Sequence, residues 1–296
     1  MYFIINLIVM SKIRKSLKAL AKRYPRTAAV YRALRYGPHI ISSPQMTPMG
    51  FKFSGSQAVA DGCYEPDETR LVKTVLPEIE CVINIGANIG YYACIALKEN
   101  KSVVAFEPIE LNVQYLLSNI SVNNFQAAAE IYALALSDKP GILKIYGGGS
   151  GASLIKGWAG TADDFSCLVP SSTLDLVLGN RFNKERLLII VDIEGAENRM
   201  LESASKLLNM DPKPLWLVEI NGTVNQPKGV NMNPYLLETF DKFWSRGYKA
   251  VMAGEKLRPI HRYEIIQSAN SGIDIGGTHN FLFYDEKLYP EMQNLL

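Results

Sequence analysis

Residues 81–108, CVINIGANIGYYACIALKENKSVVAFEP, decide the fold of this chain. The apolar run 81–85 leads into a glycine turn, a helix-like segment and a second apolar run, 103–106, which ends at Glu107. This order predicts a strand, a tight turn, a helix and a second strand, which form a βαβ unit of the nucleotide-binding type. We therefore predict an α/β protein with a ligand site at the glycine turn.

The glycine turn carries two features that indicate a ribose-containing ligand. Gly86 and Gly90 let the chain turn sharply and let a ligand lie against the backbone, and the helix N-terminus that follows favours a carboxylate or a phosphate. Glu107 lies 21 residues after Gly86, near the spacing of about 20 residues at which an acid accepts hydrogen bonds from ribose hydroxyls. The alternative is a turn that binds nothing, and the acid at the strand tip argues against it.

The spacing of the glycines distinguishes between nucleotide cofactors. Dinucleotide sites use G-x-G-x-x-G because the pyrophosphate needs a very close approach to the backbone. This chain has Gly86-x-Asn88-x-Gly90 instead, so it does not match that fingerprint. A ligand with a ribose but no phosphate suits the turn better, and S-adenosylmethionine is such a ligand.

Strand and helix patterns continue on both sides of this unit. Apolar residues at helical spacing predict a helix at 109–122. Pro66 and the acids around it predict the start of another helix, which runs to about residue 75. The continuous apolar run 187–191 fits a parallel strand that is buried on both faces. The other predicted elements are strands at 131–135, 142–146, 215–218, 249–252 and 280–284, helices after 173, after 197 and at 236–244, and a glycine-rich loop at 147–151 that is either a lid or a slack connection.

Acidic residues follow the strand predicted at 187–191 directly. Asp192, Glu194 and Glu197 lie within one run of six residues, and in doubly wound sheets the chemistry gathers at the carboxyl ends of the strands. The alternative is that Asp192 caps the next helix while Glu194 and Glu197 lie in solvent, and this alternative suits Glu197 alone better than the three acids together. We predict Asp192 as the first candidate for a general base, Glu194 as the second and His279 as the third, although a lone histidine is more often structural.

Two residues before a predicted helix are further candidates for the ligand cleft. Tyr64 and Glu65 precede Pro66, which suits the first helical turn. The alternative for this pair is to anchor and cap that helix. The strand predicted at 215–218 is also followed by an acid, Glu219.

Charge and cysteine content restrict the class of protein and of partner. The chain has 296 residues, 48% hydrophobic and 20% charged, which is ordinary for a globular protein with a large core. Residues 61–296 carry 21 basic and 29 acidic side chains, which argues against a nucleic-acid partner for this part. The four cysteines show no metal-type spacing. We therefore assign no metal ligands and expect a cytoplasmic location.

The N-terminal part has a different composition from the rest. Residues 1–60 carry ten Lys or Arg and no Asp or Glu, and the apolar run 2–9 is too short to span a bilayer. Residues 11–35 predict a basic amphipathic helix, which suits a peripheral contact with the anionic inner membrane or an acidic partner. The alternative is a helix that packs on its own domain or on a second copy of the chain. We predict a basic helical extension over 1–49 and one domain over 50–296.

Several of these motifs together resemble one known family. VINIGANIGYYACIAL with VVAFEP, and VDIEGAENRMLESA at 191–204, are similar to the motifs of the FkbM family of S-adenosylmethionine-dependent methyltransferases. Shorter matches are GCYEP at 62–66, ALSD at 135–138, STLD at 172–175, LVEI at 217–220 and HN at 279–280. The resemblance covers about residues 50–284.

The resemblance implies a fold and a reaction. The fold is a Rossmann-like class I methyltransferase domain with seven strands, the last antiparallel, and helices on both faces. The reaction is O-methylation of a hydroxyl on a sugar, a glycan or a secondary metabolite. By position in the motifs, Gly86, Asn88 and Gly90 hold the methionine end of the cofactor, Glu107 the ribose, and Ser137 with its neighbours the adenine. Asp192 and Glu194 face the site of methyl transfer, where Asp192 also contacts the cofactor.

One departure from the family pattern concerns Asn84, where the family has an acid that helps to hold the cofactor's ammonium group. Asn84 accepts a hydrogen bond but supplies no charge, and charged partners bind more strongly. A non-catalytic cofactor-binding or scaffold protein is therefore the alternative function. A nicotinamide-dependent sugar oxidoreductase is a second rival, but the third glycine and a Tyr-x-x-x-Lys pair are missing. A divalent cation bound by the acids is an alternative to a base.

Overall fold

The computed structural model describes residues 43–290 of the chain. Its strands in chain order are β1 Gln45–Met46, β2 Lys52–Phe53, β3 Cys81–Ile85, β4 Ser102–Phe106, β5 Ala129–Tyr132, β6 Ala135–Leu136, β7 Gly141–Tyr146, β8 Ser166–Ser172, β9 Leu187–Val191, β10 Leu215–Glu219, β11 Lys249–Ala253, β12 Leu257–Pro259 and β13 Asn280–Tyr284. Its helices are α1 Gln57–Ala60, α2 Pro66–Val75, α3 Tyr91–Lys98, α4 Glu110–Val122, α5 Leu174–Leu178, α6 Glu197–Leu201, α7 Ser205–Leu208, α8 Leu236–Trp244 and α9 Arg262–Ser271. The predicted βαβ unit is confirmed as β3, α3 and β4.

The central sheet has the order β12-β11-β13-β10-β9-β3-β4-β5. Five adjacent strands of this sheet run parallel to one another, in the order β5, β4, β3, β9 and β10. The next strand, β13, runs antiparallel to both of its neighbours, β10 and β11. The chain builds outward from β3 in one direction and from β9 in the other, so the strand order reverses between these two strands. This is the Rossmann-like class I methyltransferase fold, and that prediction is confirmed.

The predicted number of strands is wrong by one. The sheet has eight strands rather than seven, because residues 257–259 fold back and pair with the end of β11 in the register Val251↔Pro259. Proline lacks a backbone N–H and suits an edge strand. The three residues of β12 are too few for a recognisable alternation of apolar and polar side chains.

Helices cover both faces of the central sheet. One apolar cluster packs α2, α3 and α4 on one face, with Val82, Ala105, Ile190 and Leu217 from the strands. The other cluster packs α5 to α9 on the opposite face. Strands β3 and β9 are buried at every residue, as expected for parallel strands with helices on both sides.

The region between β5 and α5 forms a second, smaller sheet of order β6-β8-β7. The single strand predicted at 131–135 is therefore wrong. The main sheet takes residues up to Tyr132, the chain turns where the Leu134 N–H donates to the Tyr132 carbonyl oxygen, and β6 pairs with β8. This second sheet positions residues 149–154 beside the carboxyl edge of the main sheet.

The predicted basic extension, residues 1–49, lies mostly outside the described residues, and its helix at 11–35 stays a prediction. No helix within residues 43–290 is both long enough and apolar enough to cross a membrane.

Candidate active site

The glycine turn lies where the strand order reverses. Gly86 has a φ of 78°, and a Cβ there would lie 1.8 Å from the carbonyl oxygen of Asp192. Gly90 has a φ of 92°, and its Cβ would lie 2.4 Å from a side-chain carbon of Leu116. Both positions therefore require glycine, because the backbone has positive φ and a neighbouring element fills the space of a side chain.

Glu107, at the tip of β4, is held in one orientation by three donors. The backbone N–H of Asn88 donates to Oε2 at 2.8 Å, and the N–H of Ile109 and the amide of Asn112 donate to Oε1 at 2.9 and 3.1 Å. The residue is 4% exposed. Burial raises the pKa of Glu107 from 4.5 to about 6, although all three hydrogen bonds lower it. The Asn88 bond fixes this carboxyl group against the glycine turn.

A cleft of about 560 Å³, including its open mouth, begins at Glu107 and runs between β3 and residues 149–154. The predicted site residues that line it are Gly86, Asn88, Glu107, Asp192 and Glu194. Its other walls are largely apolar and consist of Ile85, Phe106, Pro108, Asn112, Leu134, Ala135, Leu136, Ile145, Gly149, Ser150, Ala152, Leu154 and Ile193. An anchored carboxylate at one end and an apolar wall beside it suit a nucleoside.

Asn112 is a lining residue that the sequence did not reveal. Its amide donates to both Glu107 Oε1 and the Gly149 carbonyl oxygen, each at 3.1 Å. This side chain therefore links the strand-tip acid to the segment that covers the cleft. The signal in the sequence was the helical spacing of Asn112 with Leu116 and Ile120, which are also buried on α4.

Four predicted site residues, namely Asn84, Gly90, Ser137 and His279, do not line the cleft. Ser137 is fully buried, donates from Oγ to Asp138 Oδ1 at 2.8 Å, and follows the lining residue Leu136. His279 precedes β13, and its Nδ1 lies 3.8 Å from Asp274 Oδ2. The roles assigned to Ser137 near the adenine and to His279 as a base stay predictions.

Asp192 and Asn84 carry buried oxygens that need a donor. The backbone N–H of Asp192 donates to the Ile85 carbonyl oxygen, but its Oδ1 has no hydrogen-bond partner among the described residues. Asn84 is 2% exposed, and its Oδ1 is likewise unpartnered there. Because Asn84 pairs in register with Ile190, Asn84 and Asp192 project from the same face of the sheet. Two unsatisfied acceptors in one place indicate a ligand with N–H or O–H groups.

The environment of Asp192 favours its protonated form. Burial, followed by the nearby carboxyl groups of Glu219 and Glu194, holds the pKa of Asp192 well above its ordinary value. A raised pKa makes the carboxylate of Asp192 a stronger proton acceptor than an exposed aspartate, which is a property of general bases.

Glu194 is fixed by two contacts from the segment after β7. Trp158 Nε1 donates to Glu194 Oε2 at 2.6 Å, and Ser153 Oγ donates to the Glu194 carbonyl oxygen at 2.5 Å. The Trp158 ring lies so close to Gly195 that a Cβ there would be 2.5 Å from it. Burial raises the pKa of Glu194, and the Trp158 bond opposes that shift.

Glu65 does not act as a side-chain cap of α2. It is the N-cap residue at a φ of 41° but makes no capping bond, and its Oε2 instead accepts from the Tyr92 hydroxyl at 2.6 Å. Asn88 and Glu194 also have positive φ, at 50° and 55°. Strained residues of this kind gather at functional sites.

Glu197 is buried, so the solvent-exposed position considered for it in the sequence is wrong. It is 3% exposed, and its Oε1 accepts from the backbone N–H of Gly195 at 2.9 Å. Burial raises the pKa of Glu197 from 4.5 to about 8. This side chain closes the turn that holds Glu194 and does not line the cleft.

A profile of the methyltransferase FkbM domain matches residues 84–250, more than half of the 296-residue chain. The chain belongs to the FkbM methyltransferase family. The matched range holds the glycine turn, Glu107 and the acids after β9, so the family resemblance read from the motifs is confirmed. No curated protein matches this FkbM chain at a significant level.

Solved structures similar to this FkbM chain include methyltransferases with low sequence identity to it. The FkbM methyltransferase from Methylobacillus flagellatus KT is 17% identical, with a TM-score of 0.44, and the match covers 70% of this chain and 44% of that protein. An O-methyltransferase from Bacillus cereus in complex with SAH is 13% identical, with a TM-score of 0.40, over 74% and 80% of the two chains. Precorrin-6y C5,15-methyltransferase from Geobacter metallireducens GS-15 is 9% identical, with a TM-score of 0.38, over 73% and 87%.

The residues of the cleft fit S-adenosylmethionine. The anchored carboxyl group of Glu107 suits ribose hydroxyls, the apolar wall suits an adenine ring, and the unpartnered oxygens of Asn84 and Asp192 suit an ammonium group. Among residues 43–290, no three His, Cys, Asp or Glu side chains converge as ligands of one metal ion.

Proposed function

We propose that this chain is an S-adenosylmethionine-dependent methyltransferase whose acceptor is a hydroxyl oxygen on a sugar, a glycan or a secondary metabolite. The observation that carries the proposal is the position of Glu107. Its carboxyl group, held by Asn88 and Asn112, lines the same cleft as Asp192 and Glu194. A ribose-binding acid and a candidate base in one cleft support a reaction between two molecules that are held side by side.

The chain offers a group for each part of the cofactor. Glu107 accepts hydrogen bonds from the ribose hydroxyls, the wall around Leu136 and Ile145 takes the adenine, and the turn at Gly86 and Asn88 holds the methionine end. Asn84 Oδ1 accepts a hydrogen bond from the ammonium group. When bound, S-adenosylmethionine supplies a methyl group that its sulfonium activates for displacement.

Asp192 takes the proton of the acceptor hydroxyl in this proposal. A hydroxyl oxygen is a weak nucleophile until its proton begins to leave, so a carboxylate within hydrogen-bond reach increases the rate. Asp192 Oδ1 is free to accept that proton within the described part of the chain. A positive charge bound nearby favours the ionised form of Asp192, which offsets the effect of burial and of Glu219. Glu194, fixed by Trp158, is the second candidate for this role.

The second candidate function is a cofactor-binding protein that does not catalyse methyl transfer. Asn84 favours it, because an amide replaces the charged group that would bind an ammonium ion more strongly. Calorimetry with S-adenosylhomocysteine, followed by an assay of methyl release from S-adenosylmethionine across a panel of sugars and glycans, separates the two. Binding with turnover supports the enzyme, binding without turnover of any acceptor supports the alternative, and no binding contradicts both.

The proposal places the protein in the cytoplasm, with residues 11–35 in peripheral contact with the anionic inner membrane. The support is the charge of residues 1–60, which hold ten basic and no acidic side chains. Co-sedimentation of the full chain with anionic and neutral vesicles tests the membrane contact, and equal sedimentation with both contradicts it. A homo-oligomer that covers these residues is the alternative, which the mass of the particle in solution tests.

A further inference from the structure

Asn112 of α4 carries an unused hydrogen-bond acceptor next to Glu107. The residue is 4% exposed and lines the cleft. Its Nδ2 donates to Glu107 Oε1 and to the Gly149 carbonyl oxygen, each at 3.1 Å, which uses both N–H groups of the amide. Its Oδ1 accepts no hydrogen bond from the described residues. The amide oxygen of a buried side chain needs a donor, so this one indicates a ligand with an O–H or N–H group.

The two partners of Nδ2 fix the orientation of the amide. One is a carboxylate oxygen and the other is a backbone carbonyl oxygen, and both of these groups accept hydrogen bonds. If the amide were turned by half a rotation, Oδ1 would face two acceptors and both bonds would be lost. Oδ1 is therefore the atom of the amide that remains for the cleft.

Glu107 has room for only one further donor. A carboxylate oxygen accepts about two hydrogen bonds in the usual geometry. Oε1 already accepts from the Ile109 N–H and from Asn112, and Oε2 accepts from the Asn88 N–H. One acceptor position is left, on Oε2. The ribose of the cofactor presents two neighbouring hydroxyls, so the second hydroxyl needs another acceptor.

The position of Asn112 suits this second hydroxyl. Oδ1 and Nδ2 share one carbon atom, and Nδ2 is bonded to Glu107, so the unused acceptors of the two residues lie at the same end of the cleft. The carboxyl groups of Asp192 and Glu194 also line the cleft, but these residues follow β9 rather than β4. Two adjacent acceptors match two adjacent hydroxyls, which is the pattern of a ribose.

We propose that Asn112 is a second ribose-binding residue, whose Oδ1 accepts a hydrogen bond from one ribose hydroxyl of S-adenosylmethionine while Glu107 Oε2 accepts from the other. This inference rests on the proposed function and refines it, because the ribose is shared between a charged and a neutral acceptor. The two hydroxyls then contribute separately to the affinity, and the hydroxyl on Glu107 contributes more. Through Nδ2, the same amide joins the ribose to Gly149, in the segment beside the cleft.

The test compares S-adenosylhomocysteine with its 2′-deoxy and 3′-deoxy analogues by calorimetry. The wild type should bind each analogue at least about fivefold more weakly than S-adenosylhomocysteine, because each loss leaves one acceptor without its donor. If the removal of either hydroxyl leaves the affinity unchanged, the inference is overturned. If the wild type binds none of the three compounds, the proposed function itself fails and the inference falls with it.

Asn112→Ala separates ribose binding from the support of Glu107 and Gly149. If Oδ1 binds a hydroxyl, the variant should lose the penalty for one deoxy analogue, to within about twofold, and keep the penalty for the other. If the amide only supports its two partners, all three compounds weaken by one common factor, which would overturn the inference.

Glu107→Gln gives the reciprocal measurement, which does not depend on the folding of the Asn112 variant. It should reduce the penalty for the other deoxy analogue, because the charge of that acceptor is lost, and leave the penalty that Asn112 causes. A fall in both penalties would assign both hydroxyls to Glu107 and contradict the inference.

Two controls complete the design. Gln114→Ala alters an exposed residue of the same helix and should match the wild type with every compound. S-inosylhomocysteine lacks the amino group of the adenine, which is the other donor that a nucleoside could offer to Oδ1. If Asn112→Ala removes the discrimination against this compound rather than against a deoxy analogue, Oδ1 binds the adenine and the inference is wrong.

Discussion

The indole N–H of Trp158 donates a 2.6 Å hydrogen bond to Oε2 of Glu194, and the same ring covers Gly195. These two residues are 36 positions apart in the chain, so the segment after β7 orients an acid that follows β9. Glu194 itself has a positive φ of 55° and lines the cleft. Through this hydrogen bond, Trp158 orients Glu194 and is a positioning residue of the candidate site. Its effect on turnover can be measured separately from its effect on stability.

Trp158→Phe should lower turnover about tenfold, because Glu194 loses its donor while the ring over Gly195 is retained. Since the Trp158 bond lowers the pKa of Glu194, its loss should also shift the pH profile of kcat upward. Steady-state rates across pH measure both effects, and the affinity for S-adenosylhomocysteine should stay within about threefold. The matched control is Trp244→Phe, which alters a half-buried tryptophan at the end of α8. An unshifted pH profile would show that Trp158 serves packing only.

Asp192→Asn should lower turnover by about a hundredfold or more, because the variant keeps the shape of the side chain but removes the base. Cofactor affinity should change far less than turnover, since Asn84 and Glu107 remain. A methyl-release assay and calorimetry on the same preparation measure the two quantities. Turnover close to that of the wild type would remove Asp192 from the mechanism.

Chelation gives a separate test of the proton-transfer role. If the acids move a proton rather than hold a divalent cation, turnover after treatment with EDTA should equal that of the untreated protein. The assay is repeated with added Mg²⁺ and Mn²⁺ as a control for weakly held ions. A loss of turnover that either ion restores would contradict the proton-transfer role.

Stability should fall between about pH 4.5 and pH 8 because of Glu197. Burial raises the pKa of Glu197 from 4.5 to about 8, so the folded protein holds this proton more tightly than the unfolded chain does. The resulting stabilisation is complete below about pH 4.5 and is lost as the pH rises through about 8. Glu107, with a pKa of about 6, contributes in the same direction.

Thermal unfolding of the wild type and of Glu197→Gln across that range checks the sign. The amide oxygen of the variant still accepts the Gly195 N–H but does not ionise, so the decline of Tm with pH should be shallower. Glu99→Gln, which alters an exposed residue, should follow the wild type. A steeper decline in Glu197→Gln than in the wild type would contradict the assignment.

Local patterns in the sequence were sufficient for the parts of the fold that depend on near neighbours. The βαβ unit was predicted correctly because two apolar runs are separated by glycines that the backbone requires. Helix α9 was missed because only Ile265 and Ser268 of its residues are buried, so it has no apolar periodicity. The split between β5 and β6 was missed because it depends on pairing with β8, more than thirty residues away.

In the candidate site, too, the residues that could be predicted are those marked by local sequence patterns. Gly86, Glu107 and Asp192 could be found because each stands at a strand end or a turn, where an acid or a glycine is informative. Asn112 and Trp158 could not, because their roles come from contacts with residues remote in the chain or from elements that were not predicted. Glu65 was considered both as a residue of the ligand cleft and as a helix cap, and only the structure shows that its carboxylate accepts a hydrogen bond from Tyr92.

The account depends most on the claim that Glu107 holds a ribose in the cleft at the tip of β4. Calorimetric titration of the wild type and of Glu107→Gln with S-adenosylhomocysteine at pH 7.5 and pH 5 tests it most directly. We predict binding to the wild type that weakens as the pH falls through about 6, where Glu107 gains its proton, and an affinity at least about tenfold lower in the variant at pH 7.5. Equal affinity of both proteins, or no binding to the wild type, would contradict the account.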